Sequence, residues 1–577
     1  MCNYDKFPEV KINGFDESAW EGYSDIINKI SKDINNKGKS IIVIDCYPGV
    51  RENEILNAFS QLHPVLIINS DDCSYDGAVI TDMIKDSLTD DRVFGVLSTK
   101  KLNEFFVKEK IDNARVKINS VKNGVILIYG VGASLITKGD ILIYADLARW
   151  EIQMRYRNGM PNWKMKNYND PILSKYKRGY FVEWRAADRH KKDLYDSLDY
   201  LLDTNIEDKP KMITGKAFIE GLSQTAQRPF RVVPYFDPGV WGGQWMKKVC
   251  DLDKSKPNFA WSFDGVPEEN SLYLRYGNIR VEIPSINVVF YEPEKLLGER
   301  VHGRFGTEFP IRFDFLDTMG GQNLSLQVHP LTEYIQDNFG MHYTQDESYY
   351  ILDAKEGAHV YLGTKENIDK NEMLEDLKRA NRGETIFEDE KYINSFPAKK
   401  HDHFLIPAGT IHCSGANTMV LEISATPYIF TFKLWDWARV GLDGQPRPIH
   451  IEHGAKVIQW NRTTSWVKEN LINKVEVIGE GDGWIEEKTG LHEREFIETR
   501  RHWFNKTVHH NTNGSVNMLN LIDGEEAIVE SPTGKFKPFI VHYAETFIIP
   551  ACVEEYTIRP YGISEGKKIA TIKAYVR

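Results

Sequence analysis

The stretch LSLQVHP (324–330) sets Gln327 and His329 two positions apart inside an otherwise apolar run. Successive side chains of a strand point to opposite faces, so Leu326 and Val328 go one way and Gln327 and His329 the other. Two polar groups converging on one face of a buried strand need a shared partner, because each left unpaired costs about 1–3 kcal/mol. A hydrogen-bond network or a metal ion would serve.

Two further pieces of the surrounding sequence offer the same kind of group. TQDESYYILDA (344–354) opens a strand at Glu347, and FLIPAGTIHCSG (404–415) uses a tight Pro-Ala-Gly turn to present His412. Imidazole, carboxylate and amide oxygen suit a borderline divalent ion such as zinc, and water in the remaining positions would leave room for substrate oxygens. Any one of these side chains alone reads as a satisfied core residue. Taken together, Gln327, His329, Glu347 and His412 read as a ligand set.

The sequence around them is β-rich. FPIRFDFLD, LSLQVHP, SYYILDA, HVYLG, HFLIPAG and MVLEISA are short strands separated by many turns. A helical insert at about 365–395 interrupts them, with KNEMLEDLKRANRG (370–383) ending on Gly383. The last hundred residues return to strands.

In their order, these motifs resemble the class I (type I) mannose-6-phosphate isomerases, zinc enzymes of the cupin superfamily. VWGG (240–243) is similar to the family's entry motif, and FPIRFDFLDTMGGQNLSLQVHP (309–330) to its central signature. ESYYILDA (347–354), PAGTIHCSG (407–415) and WDWARVGLDGQPRPIHIE (435–452) follow. The resemblance covers roughly 230–460, and ETFIIPA (545–551) extends it loosely into the tail as a second cupin-type turn. It implies one zinc ion per chain, held by Gln327, His329, Glu347 and His412, and a phosphorylated hexose as substrate. Two positions depart from the pattern. Gln345 stands where many members have lysine, and Lys433 stands where many have arginine.

The implied reaction is the interconversion of mannose 6-phosphate and fructose 6-phosphate through a cis-enediol. Lys433 and Asp436 are the candidates for proton transfer. Arg439 and Arg447, with Lys456 as a further candidate, would bind the phosphate. His450 is read as structural. The alternative is a cupin-type sugar-binding or regulatory protein that keeps the metal without turnover, or an isomerase of a different sugar or sugar phosphate.

Upstream, KSIIVIDCYPG (39–49), PVLIINSDD (64–72), NGVILIYGVGA (123–133) and GDILIYADL (139–147) are continuous apolar runs. They alternate with helix-period stretches such as LSTKKLNEFFVKEKI (97–111), which is the pattern of a doubly wound α/β sheet. These pieces loosely resemble uridine-kinase-like P-loop proteins, with Arg149, Arg155 and Arg157 at lid-like positions. The phosphate loop is degenerate: Gly49 is followed by Val50-Arg51-Glu52-Asn53, without the Lys-Ser/Thr pair. The resemblance leaves a nucleotide or another regulatory ligand as the expectation for this region.

The fold expected is therefore multidomain. An α/β domain (1–205) and a linker (206–228) precede a metal-binding cupin jelly roll (229–460) and a second β domain (461–577). A length of 577 residues exceeds what one core serves. The net charge of -11 argues against nucleic-acid and anionic-membrane partners. Six scattered cysteines without a CxxC pair, and no apolar run of membrane-spanning length, point to the cytoplasm.

Overall fold

A computed structural model describes residues 3–34, 38–425, 430–441, 444, 446–490, 493 and 495–577. The chain divides into two compact units, each discontinuous in sequence. One comprises Glu9–Thr225 with Ser271–Tyr291, and the other Met1–Pro8, Ala226–Asn270 and Glu292–Arg577.

The first unit is built on a seven-stranded sheet. The predicted apolar runs form its parallel strands Lys39–Cys46, Leu66–Asn69, Gly124–Gly130 and Ile141–Asp146, joined by Tyr200–Asp203. Numbered in chain order, the five lie 2-3-1-4-5 across the sheet. Helices shield both faces of such a sheet, so its strands can be apolar at every position. Ile42, Val43, Ile44, Ile126, Ile128 and Ile143 are fully or almost fully buried.

Three sequence expectations need correction here. The stretch 206–228 is not a linker. Its second half forms strand Lys211–Thr214, antiparallel to Tyr200–Asp203, and helix Gly215–Thr225, which buries Phe218 and Leu222. The polar run before it makes only a turn. The helix expected over 97–111 begins later, at Lys108–Ser120, after a short 3-10 turn at Leu102–Phe105. The hairpin Ser271–Tyr276/Ile279–Pro284 and helix Ile286–Tyr291 belong to this unit although they lie inside the β-rich sequence. Strand Glu9–Lys11 pairs parallel to that hairpin. Long-range pairing of this kind leaves no local mark in composition.

The second unit holds two pairs of antiparallel sheets. In the first pair, a six-stranded sheet contains Arg312–Asp317, Glu347–Ala354 and Thr418–Ser424, and a five-stranded sheet contains Leu326–Val328, His412–Ser414 and Phe432–Trp435. The helical insert is present as Lys370–Asn381, whose N-cap Asp369 accepts from two backbone N–H groups. The second pair is a six-stranded sheet through Ile497–Phe504, Asn517–Asp523 and Ile569–Val576, facing a four-stranded one through Val508–Asn511, Glu526–Glu530 and Glu555–Pro560. Phe504, Leu519, Leu521, Val529, Phe547 and Ile558 form the core between them. Among the described residues, no helix is long and apolar enough to cross a membrane.

Candidate metal centre

Strand Leu326–Val328 runs between two neighbours, and Gln327 lies opposite His412 on one side and Lys433 on the other. Residues directly opposite in antiparallel strands share a face. His412, Gln327 and Lys433 therefore form a row across the five-stranded sheet. Glu347 comes from the facing six-stranded sheet, at the start of its strand. His329 follows immediately after the central strand. The cluster thus stands between the two sheets.

Its members are almost wholly enclosed: His329 is 1% exposed, and Glu347 and His412 are 0% exposed. His329 Nε2 lies 3.1 Å from one Glu347 oxygen, and His412 Nε2 lies 2.7 Å from the other. The Gln327 amide stands 3.3 Å from His412 Nε2. Potential ligand atoms of His329, Glu347 and His412 all lie within 4.8 Å of one another.

The outer nitrogens of the two rings fix their roles. His329 Nδ1 donates to the Phe430 carbonyl at 2.7 Å, and His412 Nδ1 donates to the Thr410 carbonyl at 2.9 Å. Both Nε2 atoms therefore face the carboxylate. If the rings were neutral, lone pairs would face a carboxylate; if both were protonated, two cations would be buried beside one anion. A divalent cation bound by all three groups relieves either conflict. His329 Nε2 and Glu347 Oε1 are indeed enclosed without a well-formed hydrogen bond. Burial raises the Glu347 carboxyl, whereas protonated rings beside it would hold the group well below the usual carboxylate range. With its oxygen turned inward, the Gln327 amide adds a fourth donor. The residues present fit a metal ion of the zinc type.

Around the cluster, buried groups hold these side chains in place. Gln345 donates to Glu347 at 3.0 Å and to Glu422 at 3.2 Å, and accepts from the Phe430 N–H at 2.8 Å. Glu422 is pushed well up by burial, and further by the Asp314 and Glu347 charges. Turn 407–410 is clamped from two sides. Asp346 accepts from Ala408 N at 2.7 Å, while Arg462 donates to the Pro407 and Ala408 carbonyls at 2.7 Å each and to the Thr410 hydroxyl. Gly409 has φ +87°, and a Cβ there would sit 2.9 Å from the Val457 carbonyl oxygen. Sequence reading missed Arg462 and Glu422, because nothing local marks a residue that acts through a distant turn or strand.

Lys433 is half-buried one strand from Gln327, and its ammonium is pushed down to about 7 by burial and by the Arg447 and Arg439 charges, against Asp436. Asp436 itself is 3% exposed, accepts from Ser325 Oγ at 3.0 Å, and pairs with both Arg439 and Arg447. The candidate proton carrier and the two candidate phosphate contacts are therefore one another's partners. Lys456 is exposed on helix Ile451–Val457. His450 precedes that helix, and its N–H donates to the Lys433 carbonyl.

Residues 22–227 match a family model described as a domain of unknown function (DUF8485). Mannose-6-phosphate isomerase ManA of Bacillus subtilis is 30% identical over 241 residues, covering 40% of this chain and 68% of the relative. The probable mannose-6-phosphate isomerase GmuF of the same organism is 30% identical over 232 residues, with the same two coverages. The crystal structure of the mannose 6-phosphate isomerase from Bacillus subtilis superposes with a TM-score of 0.49 at 18% identity, covering 60% of this chain and 100% of that one. With two thirds of such relatives spanned at this identity, the chain belongs to the mannose-6-phosphate isomerase family.

Proposed function

We propose that the chain is a zinc-dependent aldose–ketose isomerase that interconverts mannose 6-phosphate and fructose 6-phosphate. The observation that carries this reading is the enclosed His329–Glu347–His412 cluster with Gln327 beside it, whose inward atoms are acceptors calling for a cation. When bound there, a zinc ion would act as a Lewis acid toward oxygens on C1 and C2 of the open-chain sugar.

The proton is then moved by the chain's own residues. In the forward direction a base removes the C2 proton of the aldose, leaving a cis-enediolate, and returns it to C1 while the O2 hydroxyl proton passes to O1. Lys433 suits this task, because it stands on the same face as Gln327 and His412 and its ammonium titrates near neutrality. Asp436 is held between two guanidiniums, with its carboxylate committed to both. Its part is to position Arg439 and Arg447, which set positive charge near Lys433 for a phosphate group.

The test is turnover of mannose 6-phosphate by purified protein before and after chelation, with zinc added back. Activity lost to the chelator and restored by zinc supports the proposal. Full activity in metal-free protein would falsify it. Tight metal binding with no turnover of any sugar phosphate would favour the second reading, a metal-retaining sugar-binding protein. The uncharged Gln345, donating to both Glu347 and Glu422, is the feature that supports that rival.

For the first unit the reading is a degenerate kinase-like domain that does not transfer phosphoryl groups. The 2-3-1-4-5 strand order and the loop after the first strand support the kinase-like part. The groups at the strand ends support the loss of transfer. Lys191 is paired with Asp146 at 2.9 Å, Arg149 with Asp188, and Arg155 donates to the Gly49 carbonyl at 2.8 Å. Glu52 follows the loop, pushed up to about 8 by burial and by the Asp71 charge. A phosphate would meet committed cations and nearby carboxyls.

A further inference from the structure

The second pair of sheets has an apolar core at one end and a polar lining at the other. Along Ile497–Phe504, Phe504 enters the core, and the two-residue period places His502 and Arg500 on the same inner face. Cross-strand register continues the row, with His502 opposite Thr571 and Arg500 opposite Lys573. From the facing sheet, His510 meets this lining, its ring 5.0 Å from that of His502 and stacked at 5.0 Å on Tyr556.

Three of these groups are buried without compensation. Lys573 is 8% exposed and makes no ion pair or hydrogen bond among the described residues; its only ring contact is Tyr575 at 5.6 Å. His502 and His510 are 6% and 8% exposed, and the Nε2 atom of each is enclosed with no hydrogen-bond partner. Two carboxylates border the lining, and Glu486 lies directly opposite His502 across the sheet. Glu498 accepts from Arg500 at 2.6 Å and from the Tyr575 hydroxyl at 2.6 Å, and Glu486 lies 3.4 Å from Arg500. Arg500, Glu486 and Glu498 keep more exposure than Lys573, so they sit toward the solvent side of the lining. A lysine so little exposed and two orphan imidazoles are costly in a sandwich interior that needs none of them.

We infer that this end of the second sandwich is a binding site for a small oxyanion, a phosphate or carboxylate group, received by Lys573 and by the Nε2 atoms of His502 and His510. The isomerase reading is not needed for it, since no residue of the metal cluster takes part. An oxyanion supplies the counter-charge that Lys573 lacks and acceptors for two imidazole N–H groups, while Arg500 stays with its own carboxylates. Burial, then the Arg500 charge, lowers the Lys573 ammonium to about 8, and burial lowers His502 to about 4, while Glu486 opposes both shifts.

The test uses the full chain labelled with [13Cε1]histidine, with His502→Gln and His510→Gln assigning the two resonances. Inorganic phosphate, glucose 6-phosphate and malonate are titrated separately. The expected result is a saturable shift of both resonances with at least one probe. Preference for malonate would identify a carboxylate, and tighter binding of glucose 6-phosphate than of phosphate an esterified ligand. Loss of the ammonium in Lys573→Met should weaken binding about 10–100-fold, the worth of one hydrogen bond to a charged group. Lys573→Arg should retain most of it. If neither resonance of the wild-type protein moves at millimolar concentrations of any probe, the inference is overturned, whether or not the Lys573 variants fold. Equal affinity in a folded Lys573→Met variant would overturn it as well.

Discussion

The two sandwiches of the β-rich unit bury polar groups between facing sheets, yet the charge left uncompensated has opposite sign. In the first, one carboxylate and two imidazoles turn acceptor atoms toward a common point, and the residue beyond them, Gln345, neutralises nothing. In the second, a lysine and two imidazoles line one inner face, and among the described residues the lysine makes no ion pair. A shared architecture therefore fixes where a ligand would sit, and the sign of the unpaired group fixes what it would be. The α/β unit supplies the contrast to both. Two of its buried cations at the strand ends are paired, Lys191 with Asp146 and Arg149 with Asp188.

The largest effect should come from removing the charge that makes the first sandwich a cation site. Glu347→Gln is expected to lower bound zinc to a small fraction of an equivalent by elemental analysis. Its kcat/KM for mannose 6-phosphate should fall about 10^3-fold or more, since Lewis-acid stabilisation is worth several kcal/mol. Retained zinc in that variant would break the comparison at its root.

Next is Lys433→Met, which should reduce kcat about 10^2–10^4-fold, the usual contribution of a general base. Metal content should stay unchanged. The pH profile sharpens this test. Lys433 can accept a proton only above its pKa, so wild-type kcat/KM should rise with pH through about 7 and level off above it. In Lys433→Met that rise should vanish. If it persists, another group is the base.

A smaller change is expected for Gln345→Leu. It removes the amide that bridges Glu347 and Glu422, and zinc affinity should fall about 10-fold, at the low end for residues that support metal ligands. A metal-competition titration reads this directly. The smallest response belongs to the α/β unit: ATP should cause no measurable rise in melting temperature and no hydrolysis. A clear thermal shift with ATP would mean that the paired charges at its strand ends rearrange.

Much of this molecule was legible before its structure. The continuous apolar runs at 39–49, 64–72, 123–133 and 139–147 gave four of the five parallel strands, because a strand buried on both faces must be apolar throughout. The helix at Lys370–Asn381 was announced by the run 370–383 and its glycine stop. Other features were opaque. The stretch 206–228 read as a linker from its charged first half, whereas the apolar residues behind it complete the sheet and its cover. Asp436 read as a candidate for proton transfer, and only the fold brings Arg439 and Arg447 onto it.

By itself, the sequence determined the kinds of group available: acceptor side chains at 327, 329, 347 and 412, apolar runs long enough for strands, and a phosphate loop without its lysine. Those are properties of residue type and of local period, which a strand or a turn converts directly into direction. The tertiary structure alone decided which charges meet. It turned both imidazoles toward one carboxylate, set two arginines on Asp436, moved 271–291 into the first unit, and left Lys573 without an ion pair among the described residues. Electrostatic compensation depends on separations of a few ångströms between strands far apart in the chain, and that distance is set only when the sheets close.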